Sequence, residues 1–309
     1  MVALWLAELR RIAARRVVRL TLILTLAGIA VGGAAAFTWS GSLSEETYQQ
    51  RVIAAKADRT AAEAEIEACL RAQGVTGDEQ ISDEVADVCF PDEAIGEVSD
   101  PRFRRTRLEG ILKGVGAVLA VLGWAFGASL VGAEFASRGM TTLLTWEPRR
   151  GRVFVAKTLA VLVAIAVFAV VVLALVTLAM APALALHGAP LQSNDPTVAS
   201  LAGTIGRGVA LATLASAVGL AIATIGRSTA SALGAGFAYV IVLEYVLGST
   251  VERWRRWLLL GNVIVLVSGQ DGAADVSGRT VTAAGVFLTV VAVTLLVAAA
   301  GAFRTRDLA

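Results

Sequence analysis

The chain has 309 residues, is 56% hydrophobic and has a mean hydropathy of +0.71, values typical of polytopic membrane proteins. A single histidine excludes most His-based metal and triad chemistry; the net charge of +2 says nothing by itself, and no nucleic-acid partner is expected. The charge is unevenly spread: residues 40–107 hold 8 Lys/Arg against 15 Asp/Glu, while the remaining charge is mostly basic and sits between or beside apolar runs.

In chain order, residues 1–16 place Val2, Trp5, Leu6, Leu9 and Ile12 along one helical face, with Glu8, Arg10, Arg11, Arg15 and Arg16 largely elsewhere. That pattern predicts an amphipathic helix lying in the membrane interface. Residues 17–39 form the first span. A signal peptide is the rival reading, because residues 34–36 resemble a cleavage site, but the apolar run exceeds the roughly 7–15 residues of a secretory core. Residues 40–107 are then a small helical extracytoplasmic insert, with one helix over 45–71 and a shorter one over 78–88. Cys69 and Cys89 both fall here, where a disulfide is permitted outside the cytosol; two free thiols are the alternative.

Residues 111–133 form the second span. Gly110/Gly114 and Gly123/Gly127 give two GxxxG spacings and Gly28/Gly32 a third, faces that let backbones approach closely within one subunit or between two. Residues 134–157 form a loop carrying Arg138, Arg149, Arg150, Arg152 and Lys157, which the positive-inside rule places in the cytoplasm. Residues 136–146 show helical spacing at Met140, Leu143 and Leu144, and Pro148 stops that helix. Spans three, four and five cover 158–186, 201–225 and 230–248, joined by an external turn holding His187 and a tight turn over 226–229. Residues 251–269 contain an apolar stretch too short to cross the bilayer and flanked by Trp254, Trp257 and arginines; an external interfacial or re-entrant element is expected. Residues 281–303 form the sixth span, putting both termini in the cytoplasm. The expected fold is an all-α integral membrane protein of six transmembrane helices.

The central loop also carries a resemblance. Gly132 and Glu134 closing one span, Arg138-Gly139, Thr142-Leu143-Leu144, then Pro148-Arg149-Arg150 and Lys157 opening the next are similar to the membrane subunit of type-2 ABC exporters. The closing Phe303-Arg304-Thr305-Arg306-Asp307 resembles the end of those permeases. The resemblance implies that this loop is a coupling helix fitting a groove on a separate ATPase subunit, through Glu134, Arg138, Thr142, Leu143, Leu144, Glu147, Arg149 and Arg150. It further implies a dimer with a second permease copy or a paralogue, ATP and Mg bound on the partner ATPase with no cofactor on this chain, and a place in a bacterial plasma membrane.

No catalytic motif stands against this reading. Residues 151–158, GRVFVAKT, fall one residue short of a phosphate-binding loop and run straight into an apolar span, so ATP is not expected to bind here. Arg207 and Glu244 are the charges inside the spans, about 27 and 22 Å up their helices. They are expected either to pair across neighbouring spans or to line the substrate path. Two other readings remain open: an ion-gradient-driven secondary transporter, and a non-transporting membrane sensor whose insert binds a ligand.

Overall fold

The computed structural model describes residues 7–8, 10–12, 14–72, 89, 100–137, 139, 145, 149–247, 256–273 and 278–305. Its elements in order are α1 (Arg16–Trp39), α2 (Glu45–Ala72), α3 (Arg105–Ala136), α4 (Arg150–Leu186), α5 (Val198–Gly226), α6 (Thr229–Ala238) with a π-helical continuation (Tyr239–Leu247), α7 (Leu259–Ser268) and α8 (Val281–Thr305). Among the described residues six helices are long and apolar enough to cross a membrane: α1, α3, α4, α5, α6 with its continuation, and α8. The second short helix expected over 78–88 and most of the expected coupling helix lie outside the described residues.

Two compact units emerge. The first joins residues 1–34, 105–181 and 194–309. Its centre is the pairing of α3 with α5, and glycine makes that pairing close: Gly116 faces Gly208, Gly123 faces the Ala212 carbonyl and Gly127 the Ser216 carbonyl. A β-carbon at Gly123 or Gly127 would collide with main chain, which side-chain rotation cannot relieve. The Gly123/Gly127 spacing is therefore consumed inside one chain. Around Gly28, Gly32, Gly110 and Gly114, by contrast, a β-carbon would meet no atom within 4 Å.

Ala120, Leu211, Leu266 and Leu288 form the core between α3, α5, α7 and α8. Helix α8 contributes Leu288 to it and also buries Ala284, Ala292, Ala299 and Phe303, positions four or seven apart that share one face. Helix α1 behaves oppositely: Gly33 is its buried residue, and Leu20, Ile23, Leu24 and Val31 are exposed. The fifth span is similarly bare, with Phe237, Ile241 and Val242 exposed.

Helix boundaries differ from the sequence expectation chiefly at α4, which begins at Arg150 rather than 158. The Arg149 carbonyl accepts from the Arg152 and Val153 amides at 2.9 and 3.3 Å, so the helix nucleates within the basic loop. The tight turn before α6 is as expected. Arg227 takes the left-handed conformation (φ 55°), and the Ser228 side chain caps α6 by accepting from the Ser231 amide.

The second unit comprises residues 35–104 and 182–193. Cys69 and Cys89 form a disulfide. Phe103 is buried, donates its amide to the His187 carbonyl at 2.8 Å and accepts from the Ala189 amide at 3.2 Å. His187 stacks on Phe37 and its Nδ1 lies 2.9 Å from Ser40 Oγ, a structural pin with no carboxylate partner among the described residues. The buried Arg102 guanidinium donates to Asp100 at 2.9 and 3.1 Å and to Glu45 at 2.7 Å, and lies over the Tyr48 ring.

Burial pushes the Asp100 carboxyl up, but the Arg102 hydrogen bonds and charge outweigh it and hold it below the usual range; Glu45 is lowered by Gln49 and then by Arg102. Carboxyls lowered by folding stabilise above their unfolded values, about 4, and that contribution is lost as pH falls through the folded values. We expect resistance of the insert to proteolysis to be flat from pH 7 to 5 and to fall below about pH 4. Asp100→Asn should lower its stability at pH 7 by about 2 kcal/mol and flatten the acid dependence. An unchanged acid midpoint in Asp100→Asn would remove Asp100 from the linkage.

Candidate functional site: a charge cluster and a capped short helix

Five charged side chains converge where α3 ends and α4 begins. Lys157 Nζ sits 3.0 Å from Glu8 Oε2 and 2.6 Å from Glu134 Oε2. Arg15 Nη2 contacts the other Glu134 oxygen at 3.2 Å and donates to the Leu130 carbonyl, also at 3.2 Å. Arg11 approaches Glu8 at 3.4 Å. Glu8, Glu134 and Lys157 are 5%, 7% and 6% exposed, so these are desolvated charges whose pairing is obligatory. The cluster fastens the N-terminal segment to both helices flanking the central loop. Helix α8 ends beside it: Phe303 packs between Phe135 and Phe154, and the Arg304 guanidinium lies against Gly151.

The sequence groups Glu134 with loop residues that would face a partner. The structure turns it inward, because a carboxylate one turn below the loop is met by Lys157 and Arg15 from two other segments. Arg149 is exposed and Arg150 partly buried at the start of α4; Arg138, Thr142, Leu143, Leu144 and Glu147 lie outside the described residues. Glu8, Arg15 and Lys157 were not singled out as a group. Their signal was available: Glu8 is the sole acid in residues 1–16, and Lys157 borders an otherwise uncharged span.

Arg207 and Glu244 are not brought together, and helix α7 explains why. Glu244 Oε1 accepts from the Leu260 amide at 2.6 Å and the Tyr239 hydroxyl accepts from the Leu259 amide at 2.9 Å. These groups cap the N-terminus of α7, where Leu258 offers no side-chain cap. Arg207 donates to Thr204 Oγ1 at 2.9 Å, and its guanidinium lies against Gly269, the left-handed residue closing the other end of α7. Anion at the N-terminus and cation at the C-terminus is the arrangement a helix dipole favours. Glu244 thus caps one end of this short helix and Arg207 lies beside the other. Asn262, fully buried on α7, donates to the Arg256 and Leu258 carbonyls and accepts from Arg279, fixing the same helix from within.

Six apolar helices of spanning length and a shorter apolar helix among the described residues define a polytopic α-helical membrane protein. Residues 5–265 match the family described as ABC-2 family transporter protein. The chain belongs to that family, and is therefore the membrane component of an ABC transporter, a transport subunit not itself catalytic. Permeases of this family normally partner with an ATP-binding subunit. No curated protein and no solved structure matches the chain.

Removing Lys157 leaves two buried carboxylates short of a cation. Lys157→Met should therefore cost about 3–5 kcal/mol of stability, read as a drop in thermal unfolding temperature in detergent. Adding Glu8→Gln should recover part of the loss. Strictly additive effects in this double-mutant cycle would show that the pair does not interact.

Proposed function

We propose that the chain is the permease subunit of an ATP-driven exporter in the plasma membrane of a bacterium, forming the substrate path as a dimer with a second copy or a paralogue. In this reading residues 134–157 dock on a separate ATPase that binds ATP and Mg, and both termini are cytoplasmic. The observation that carries it is the charge cluster, which makes the N-terminal segment and the ends of α3 and α4 one mechanical piece beside the docking loop. Force applied to that loop would then reach three segments at once. Glu134 would transmit this force through Lys157 and Arg15, while Arg138, Arg149 and Arg150 would meet the ATPase surface. The basic N-terminal segment and loop support the cytoplasmic placement.

The bare faces of α1 and of the fifth span, with the open Gly28/Gly32 spacing, support the dimer. Arg207 and Glu244 are assigned to holding α7 in place rather than to an ion pair.

Co-expression with the cognate ATP-binding subunit tests the docking. Charge reversal of Arg138 and Arg149 to Glu should reduce co-purified ATPase about tenfold while leaving the permease melting temperature unchanged. Undiminished co-purification would move the docking surface elsewhere.

A further inference from the structure

A cavity of about 360 Å³ lies between the N-terminal part of α1, α3 and α4, lined among others by Ile12, Val18, Leu22, Leu130, Ala164 and Val171. Its wall is apolar, and the one hydroxyl among the described lining residues, on Thr21, donates to the Val17 carbonyl of its own helix at 2.9 Å. A polar ligand would find no partner there. Position and length narrow the occupant. Leu130 is four residues from Glu134 and Val171 fourteen from Lys157, so the groove runs from about 6 to about 21 Å beyond the charge cluster. A length of about 15 Å is half of a roughly 30 Å hydrocarbon core, the reach of one acyl chain in one leaflet.

The charged end is selective. Arg15 lies between the lining residues Ile12 and Val18 and donates to the carbonyl of Leu130, itself a lining residue. The Arg15 carbonyl accepts from the Arg19 amide, which sets Arg19 one turn along the same face, and the Arg19 side chain folds back to the Ala14 carbonyl at 3.4 Å. Arg10, Arg11, Arg16 and Arg19 are exposed nearby. Within the cluster, Arg11, Arg15 and Lys157 face Glu8 and Glu134, leaving net positive charge, and each guanidinium has more donors than these contacts use.

We propose that this groove binds one acyl chain of an anionic glycerophospholipid whose phosphate rests on Arg15 and Arg19, the second chain remaining in the bilayer. The site requires only that the chain is membrane-embedded, not that it exports or hydrolyses through a partner. The lipid would fill the space between α1 and the α3–α4 pair and stiffen the junction where the N-terminal segment meets the charge cluster.

The test is native mass spectrometry of the purified full-length protein titrated with phosphatidylglycerol or phosphatidylcholine of identical chains. One phosphatidylglycerol per chain should be retained at least about fivefold more strongly than phosphatidylcholine, and Arg19→Gln should weaken that retention about fivefold. Ala164→Phe, which fills the groove, should abolish it, whereas Val163→Phe on the outward face of α4 should not. Equal retention of the two lipids would identify an unselective annular contact and overturn the proposal. So would undiminished phosphatidylglycerol binding in Arg19→Gln, or in a folded Ala164→Phe. Should Ala164→Phe fail to fold, the Arg19→Gln comparison decides alone.

Discussion

An ammonium buried between two carboxylates at a membrane edge holds this protein's most constrained point. Lys157 touches Glu8 and Glu134, and Arg15 satisfies the second oxygen of Glu134. In low dielectric none of these charges is tolerable alone, so the N-terminal segment has one acceptable position relative to α3 and α4. Family membership and the charge cluster then point to the same region, since the loop joining those helices is where an ATP-binding partner would act. The structure ties the N-terminal segment to both of those helices through Glu8 and Arg15.

The bundle's other fixed points obey the same rule that polar groups inside a membrane must be satisfied internally. The ends of α7 would otherwise leave main-chain amides and carbonyls without partners. Glu244 and Tyr239 answer the first and Arg207 lies by the second, with Asn262 and Arg279 adding side-chain bonds from the helix and loop that follow. The α3–α5 pairing rests instead on geometry, with glycine against main chain at Gly123 and Gly127. Beyond these contacts the chain presents long apolar faces on α1 and the fifth span, surfaces suited to lipid or to a second permease.

Much of the architecture was legible in the sequence because the bilayer imposes a simple length and hydropathy criterion. The six spans follow from it, while the α2 helix follows from a run of helix formers without Gly or Pro; the sequence permitted the Cys69–Cys89 bond, and the structure forms it. What was not legible depends on three-dimensional convergence. GxxxG spacing could not say which glycines meet another helix; Gly123 and Gly127 do and Gly28 and Gly32 do not. Arg207 and Glu244 have similar depth and opposite charge, so pairing was the economical expectation. It failed because a helix end is itself a partial charge, and α7 supplies both signs within reach. Helix α4 starts early because the Arg149 carbonyl collects the amides that follow, although Arg150 and Arg152 oppose the helix dipole there.

Distance measurement between spin labels at exposed positions 10 and 149 tests the central claim most directly. The labels report whether the N-terminal segment and the start of α4 are held as one piece by the charge cluster. With the ATP-binding partner present, the account predicts the same narrow distance distribution with and without a non-hydrolysable ATP analogue, and a broadened one in Lys157→Met. A shift of about a helical turn or more, ~5 Å, on adding nucleotide to the wild-type complex would show that the two segments move independently and contradict the account.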